Sequence, residues 1–292
     1  MLPELDRRRS SSSRPDAQSR CAQCKNGNAL GFDFSYAYQP IVDIDTRQIF
    51  AHEALVRGTA GESAYSVLSL VTGENRYAFD QACRVKAIEI ASRVQLDSYL
   101  SINFLPNAVY RPEVCIRTTL EAAKQHGWPV NRIIFETVEG ERVDDGKWFA
   151  EVLREYQRIG FLTAIDDFGA GYAGLNLLAD FLPDIVKLDM ALVRNIETRR
   201  SAQSIVRCMV GLCAELGVRV VAEGIETLGE YHCLDDLGVR LMQGYLFARP
   251  TFEAGLTADR IPWPDRTGQS DQARSHRAPA SVDDVYGGAA IR

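Results

Sequence analysis

The sequence predicts an α/β protein: a (β/α)8 barrel, TIM-like in plan, with an antiparallel first strand. Three observations predict it. Apolar strands alternate with amphipathic helices through most of the 292 residues, a length at which barrels fold as one domain. The first two strands are joined only by the polar tetrapeptide Asp45-Thr46-Arg47-Gln48. Strand after strand then ends in an acid or amide: Glu53, Asn103, Glu136, Asp166 with Asp167, and Glu223, with Lys187 spaced into the same series.

In chain order, residues 1–29 read as an N-terminal arm. Its first part, to about Gln18, is rich in Arg and Ser and has little apolar surface to bury, so disorder is expected. The barrel is expected over 30–263. Tyr36–Ile44 and Ile49–Val56 form its opening strands, antiparallel because a parallel crossover needs a dozen or more residues. Later strands are expected at Tyr99–Phe104, Arg132–Val138, Leu162–Asp167, Asp184–Asp189, Val218–Ala222 and Leu241–Phe247. Helices lie between them at Phe79–Ser92, Glu113–His126, Gly146–Ile159, Ser201–Leu216 and Leu228–Leu237. Gly127, Gly160 and Gly217 follow three of these as C-terminal caps. The segment 264–292 is again polar and Ala-rich and reads as a disordered tail. A doubly wound open sheet is the alternative, but it would not gather acids from so many strands at one place.

Composition narrows the function. With 33 Lys+Arg against 39 Asp+Glu the net charge is -6, which argues against a binder of nucleic-acid polymers. No apolar stretch is long enough to span a bilayer, and the N-terminus lacks a signal-peptide core. The seven cysteines are scattered and odd in number, which suits reduced thiols and a cytoplasmic location.

In a parallel barrel the C-terminal strand ends converge on one mouth, where active sites of that architecture lie. An oxygen-rich mouth holding a lysine reads as a Mg2+ or Mn2+ site for phosphate chemistry. Singly, each residue has a plainer reading. The pair Asp166-Asp167 also suits a helix cap, Lys187 also suits a side chain that snorkels outward, and Asn103 also suits a turn. Their joint placement at strand ends favours the site.

The motifs Tyr38-Gln39-Pro40-Ile41-Val42, His52-Glu53-Ala54-Leu55-Val56-Arg57 and Ser101-Ile102-Asn103 open an ordered series. Asp166-Asp167-Phe168-Gly169-Ala170-Gly171-Tyr172, Val186-Lys187-Leu188-Asp189, Ala222-Glu223-Gly224-Ile225-Glu226 and Gln243-Gly244-Tyr245-Leu246-Phe247-Ala248-Arg249-Pro250 complete it. In these blocks and their order the chain resembles the EAL-domain family of cyclic di-GMP phosphodiesterases. The resemblance implies hydrolysis of cyclic di-GMP to linear pGpG with two Mg2+ or Mn2+ ions. By it Glu53, Asn103, Glu136, Asp166, Asp167 and Glu223 hold metal, and Lys187, Glu223 and Glu53 are catalytic. Arg57 clamps phosphate, while Gln39 and Gln243 contact substrate. Glu139 tethers the loop after Asp167. A homodimer is implied by the same analogy.

Two departures stand out. The family's Glu-x-Thr-Glu is Glu136-Thr137-Val138-Glu139 here, and the loop Ala170-Gly171-Tyr172-Ala173-Gly174 lacks the usual hydroxyls. Both are expected to modulate the loop. The rival reading is a cyclic di-GMP receptor or protein-interaction module of the same fold, whose mark would be a broken metal-ligand set. A barrel hydrolase of another phosphodiester is a second rival. Cys21-x-x-Cys24 has no partner pair or His at ligand spacing and reads as ordinary thiols, with metal or redox sensing the minority alternative, while Cys208 and Cys213, five apart in one helix, suggest no chemistry. His52, on the opposite strand face from Glu53, is expected to pack.

Overall fold

The computed structural model describes residues 30–105, 115–138, 146–169 and 174–265. The expected arm, Cys21 and Cys24, Glu139, the loop 170–173 and nearly all of the expected tail lie outside them. The chain divides after Pro262, and the barrel lies wholly in the first unit. Its strands are β1 (Ser35–Asp43), β2 (Gln48–Arg57), β3 (Tyr99–Asn103), β4 (Ile133–Val138), β5 (Leu162–Phe168), β6 (Ile185–Leu188), β7 (Arg219–Ala222) and β8 (Leu241–Met242). Each pairs with the next, and β8 closes on β1 through Val42↔Met242 and Asp43↔Leu241. From β2 to β8 every pairing is parallel, while β1 runs antiparallel to both neighbours.

Helices cover the outside: α1 (Ala64–Leu68), α2 (Arg76–Arg93), α3 (Arg117–Gln125), α4 (Gly146–Ile159), α5 (Gly174–Asp180), α6 (Met190–Val193), α7 (Arg200–Leu216) and α8 (Leu228–Asp236). The capping glycines Gly127, Gly160 and Gly217 all take positive φ, the conformation that ends a helix without a Cβ clash. Three features differ from the sequence reading. The short helices α1, α5 and α6 sit in segments to which the sequence reading assigned no helix or strand. The last barrel strand stops at Met242 rather than Phe247, because Gly244 is packed against the backbone of Ile225. A ninth strand, β9 (Thr251–Phe252), pairs with Ala37 and Tyr38 of β1.

The interior explains how the fold carries acids in its centre. Ile41, Ala51, Ile134, Ala164, Ile185, Val221 and Leu241 form one apolar cluster inside the barrel. Two residues toward the mouth on the same strands stand Gln39, Glu53, Glu136, Asp166, Lys187, Glu223 and Gln243. Side chains two apart share a strand face, so seven of the eight strands, all but β3, supply one residue to an apolar plug and the next on that face to a polar layer above it. The opposite faces point to the helices. There Phe104, Phe135, Tyr156 and Phe161 stack with centroid separations such as 4.9 Å for Phe135–Phe161 and 5.0 Å for Phe135–Tyr156. His52, beside Glu53, faces this outer layer as expected. It is buried and bonded through Nδ1 to Ser98 Oγ at 2.8 Å.

Candidate active site

Sheet register brings the polar layer together. Glu53 stands beside Ser101, Asn103 beside Glu136, and Gln39 beside Glu53 across β1 and β2. In a regular strand the adjacent Asp166 and Asp167 would point to opposite faces. Here β5 bulges: Ile165 pairs with Val186 and Phe168 with Leu188, so both aspartates oppose the single residue Lys187. Asp167 takes φ 54° to do so, a left-handed conformation that Asp tolerates better than most side chains. Its amide donates to Asp166 Oδ1 at 3.0 Å.

Lys187 is the hub. Its ammonium lies 2.6 Å from Glu223 Oε1, 2.9 Å from Glu136 Oε2, 3.1 Å from Asp166 Oδ1 and 3.6 Å from Glu53 Oε2. Burial pulls its pKa down, but these four carboxylates outweigh burial and hold it well above the ordinary lysine value. Burial pushes the carboxyls of Glu136 and Glu223 up against the opposing pull of Lys187. Asp167 is raised to about 6, by burial first and then by the charges of Asp166 and Asp189.

Amides and a hydroxyl orient these acids. Asn103 Nδ2 donates to Glu53 Oε1 at 3.1 Å and Gln243 Nε2 to Glu53 Oε2 at 2.8 Å. Ser101 Oγ donates to Glu136 Oε1. Gln39 Nε2 donates to the Ala248 carbonyl at 3.1 Å, which ties the segment after β8 to the barrel. Arg57, at the end of β2, folds back onto the Val56 carbonyl at 2.7 Å. The structure brings Glu53, Asn103, Glu136, Asp166, Asp167, Lys187, Glu223, Gln39 and Gln243 into one layer with Arg57 at its rim. The sequence reading placed the acids, Asn103 and Lys187 at one mouth and gave Gln39, Gln243 and Arg57 to the substrate by resemblance only. It missed Ser101, which shares a face with Asn103 two residues on and was legible by that spacing. It also gave no role to Asp189, which caps α6 through the Ala191 amide at 2.8 Å.

Oxygens of Glu53, Glu136 and Asp166 lie within 4.8 Å of one another, and so do those of Asp166, Asp167 and Glu223. The two groups share Asp166. One ammonium against five carboxylates leaves excess negative charge at a partly dry site, and hard oxygen donors suit a hard divalent cation. The donor set therefore fits metal.

A family model described as the EAL domain matches residues 28–250. The chain belongs to the EAL domain family. Among curated relatives, the blue light- and temperature-regulated antirepressor BluF of Escherichia coli is 33% identical over 233 residues, covering 79% of this chain and 57% of BluF. A cyclic di-GMP phosphodiesterase of Pseudomonas aeruginosa is 29% identical over 225 residues, covering 74% of this chain and 38% of that protein. The chain thus spans less than two thirds of the length of either of these relatives. Among solved structures, a standalone EAL protein of Vibrio cholerae bound to c-di-GMP is 54% identical with a TM-score of 0.76, covering 78% of this chain and 97% of that one. The manganese/cy-diGMP complex of Klebsiella pneumoniae BlrP1 is 36% identical with a TM-score of 0.72, covering 75% and 56%. Among the described residues of this EAL domain no helix is long and apolar enough to cross a membrane.

Proposed function

We propose that this EAL domain hydrolyses cyclic di-GMP to linear pGpG with Mg2+ or Mn2+ bound at two positions. The observation that carries the reading is the pair of carboxylate groups joined at Asp166 and gathered around Lys187. The names of the phosphodiesterase relative and of the c-di-GMP-bound neighbours support the substrate. Glu53, Asn103, Glu136 and Asp166 would hold one ion, with Asp167 and Glu223 serving the other. Bound metal supplies a Lewis acid for the phosphoryl oxygens and for the attacking water.

The chain's own residues do the rest. Asn103 and Gln243 hold both oxygens of Glu53, which presets its orientation. Lys187, kept protonated by its acids, offers a fixed positive charge to the attacking water and to charge developing on phosphorus. Glu223, partly exposed beside Lys187, accepts the water's proton. Water oxygen bonds to phosphorus as the bond to the ribose O3′ breaks, and that oxygen takes up a proton from solvent water as it leaves. Arg57 swings from the Val56 carbonyl to clamp phosphate through its planar fork. Gln39 and Gln243 line the substrate side. Glu139, outside the described residues, tethers the loop after Asp167. A cytoplasmic location and a homodimer belong to the same proposal.

The test is incubation of purified protein with cyclic di-GMP and Mn2+ or Mg2+, with an EDTA control, and chromatography of the products. Metal-dependent pGpG supports the reading. Intact substrate with folded protein would move the function to the second reading, a cyclic di-GMP receptor or protein-interaction module, which the similarity to an antirepressor favours.

A further inference from the structure

Behind the strand ends that carry Asn103 and Glu136 lies a charged pair the mechanism does not use. Asp80 and Arg84, one turn apart on α2, are 2% and 0% exposed. Arg84 Nη2 meets Asp80 Oδ2 at 2.5 Å, and Arg84 Nη1 donates to the Tyr156 hydroxyl at 3.1 Å. The other oxygen of Asp80, Oδ1, accepts the amide of Leu105 at 2.9 Å. Leu105 is two residues beyond Asn103. The Arg84 guanidinium carbon lies 5.5 Å from the ring centroid of Phe104 and 5.3 Å from that of Phe135. Phe104 follows Asn103 in the chain, and Phe135 precedes Glu136. The Phe104 amide itself donates to the Glu136 carbonyl at 3.0 Å.

A buried ion pair is a poor way to gain stability, since removing two charges from water costs about as much as their attraction returns. The contacts of this pair with Leu105, Phe104 and Phe135 bear on the ends of two neighbouring strands, from the side opposite the site, and the bond to Tyr156 ties it to α4. We propose that Asp80 and Arg84 form a clamp outside the barrel that fixes β3 and β4 where Asn103 and Glu136 leave it, and so preorganises the metal site. They are positioning residues. The inference rests on the metal site proposed above, though not on the identity of the substrate.

The test titrates Mn2+ alone into the full-length chain by calorimetry, below each variant's melting midpoint. Asp80→Ala is expected to weaken Mn2+ binding about 10- to 100-fold, the usual range for residues that orient ligands. The double variant Asp80→Leu/Arg84→Met, which replaces the charges with apolar bulk, should do the same while melting near the wild-type temperature. Asp80→Asn retains an oxygen for the Leu105 amide and should recover most of the affinity. With cyclic di-GMP, kcat falls in the weakened variants and KM holds, because Gln39, Arg57 and Gln243 sit on other strands. Wild-type Mn2+ affinity in a folded Asp80→Ala or double variant would overturn the clamp. So would an Asn variant as weak as the Ala variant. If both of the first two fail to fold, Arg84→Lys decides: it keeps the charge but gives up the fork to Tyr156 and the ring contacts. Weaker Mn2+ binding there supports the clamp, and unchanged binding overturns it. Wild-type protein that binds Mn2+ yet leaves cyclic di-GMP intact would defeat the proposed reaction while the affinity series still judges the clamp. Failure of the wild type to bind Mn2+ would overturn both.

Discussion

Lys187 Nζ lies 2.9 Å from Glu136 Oε2, and each side chain is 1% exposed. No other described cation touches the four acids around that ammonium, so Lys187 does two jobs at once. It serves the reaction, and it neutralises part of the acidic layer when metal is absent.

Replacing it separates the two roles. Lys187→Met should lower kcat by about 10²- to 10⁴-fold, the span typical of groups that manage protons or charge in the transition state. Mn2+ binding should persist. Without metal the variant should melt well below wild type, because four carboxylates then face one another, and Mn2+ should restore much of the loss. Glu53→Ala should behave oppositely, with Mn2+ affinity and turnover falling together. Melting curves with and without Mn2+ would check both, and a Lys187→Met variant indifferent to metal would contradict the first.

Arg57 stands at the rim with its fork on a main-chain carbonyl, touching none of the acids in the described contacts. Arg57→Ala should therefore raise KM about 10- to 100-fold, the equivalent of one lost charge-assisted hydrogen bond of about 1.5–3 kcal/mol. The fall in kcat should be small. Steady-state kinetics with cyclic di-GMP would show the split, and a loss confined to kcat would remove Arg57 from substrate binding.

His52 gives a pH signature independent of catalysis. Burial lowers its pKa to about 4 from 6.5. The unfolded chain therefore takes up a proton that the folded one resists. The stability tied to neutral His52 is complete above the unfolded value and is lost as pH falls toward the folded one. Between pH 7 and pH 5 this amounts to about 2 kcal/mol. Urea unfolding at the two pH values should show that drop in wild type and a smaller one in His52→Gln.

Gly244 is where backbone meets backbone. A Cβ there would stand 2.0 Å from the Ile225 carbonyl oxygen and 2.4 Å from its nitrogen. Gly244→Ala should destabilise by about 1–3 kcal/mol, as overpacking does, and disturb Gln243 beside it. Gly211 on α7 has nothing within 4 Å of the same position, so Gly211→Ala should be neutral or stabilising by up to about 1 kcal/mol. Thermal melts of the pair make the comparison.

Much of this was legible in the sequence because strand period and strand ends are local properties. Glu53, Glu136, Asp166, Lys187 and Glu223 could be placed at one mouth from spacing alone. The bulge at Asp166-Asp167 was not, since it depends on how β5 registers with β6. The stop at Met242 depends on a non-local contact between Gly244 and Ile225. The protein partners of Gln39 and Gln243 were likewise hidden, for each is far away in sequence. Glu139 and the altered loop remain expectations of the motif.

The pairing of plug and polar layer, strand by strand, makes the reading frame of the barrel a chemical constraint. Slipping β2, β4, β5 or β6 by a single residue would turn its charged side chain outward and a residue such as Ile165 or Val186 into the mouth. Misregistered barrels would thus bury a bare charge against oil and be rejected during folding. The same acids that serve the reaction act as proofreaders of strand register.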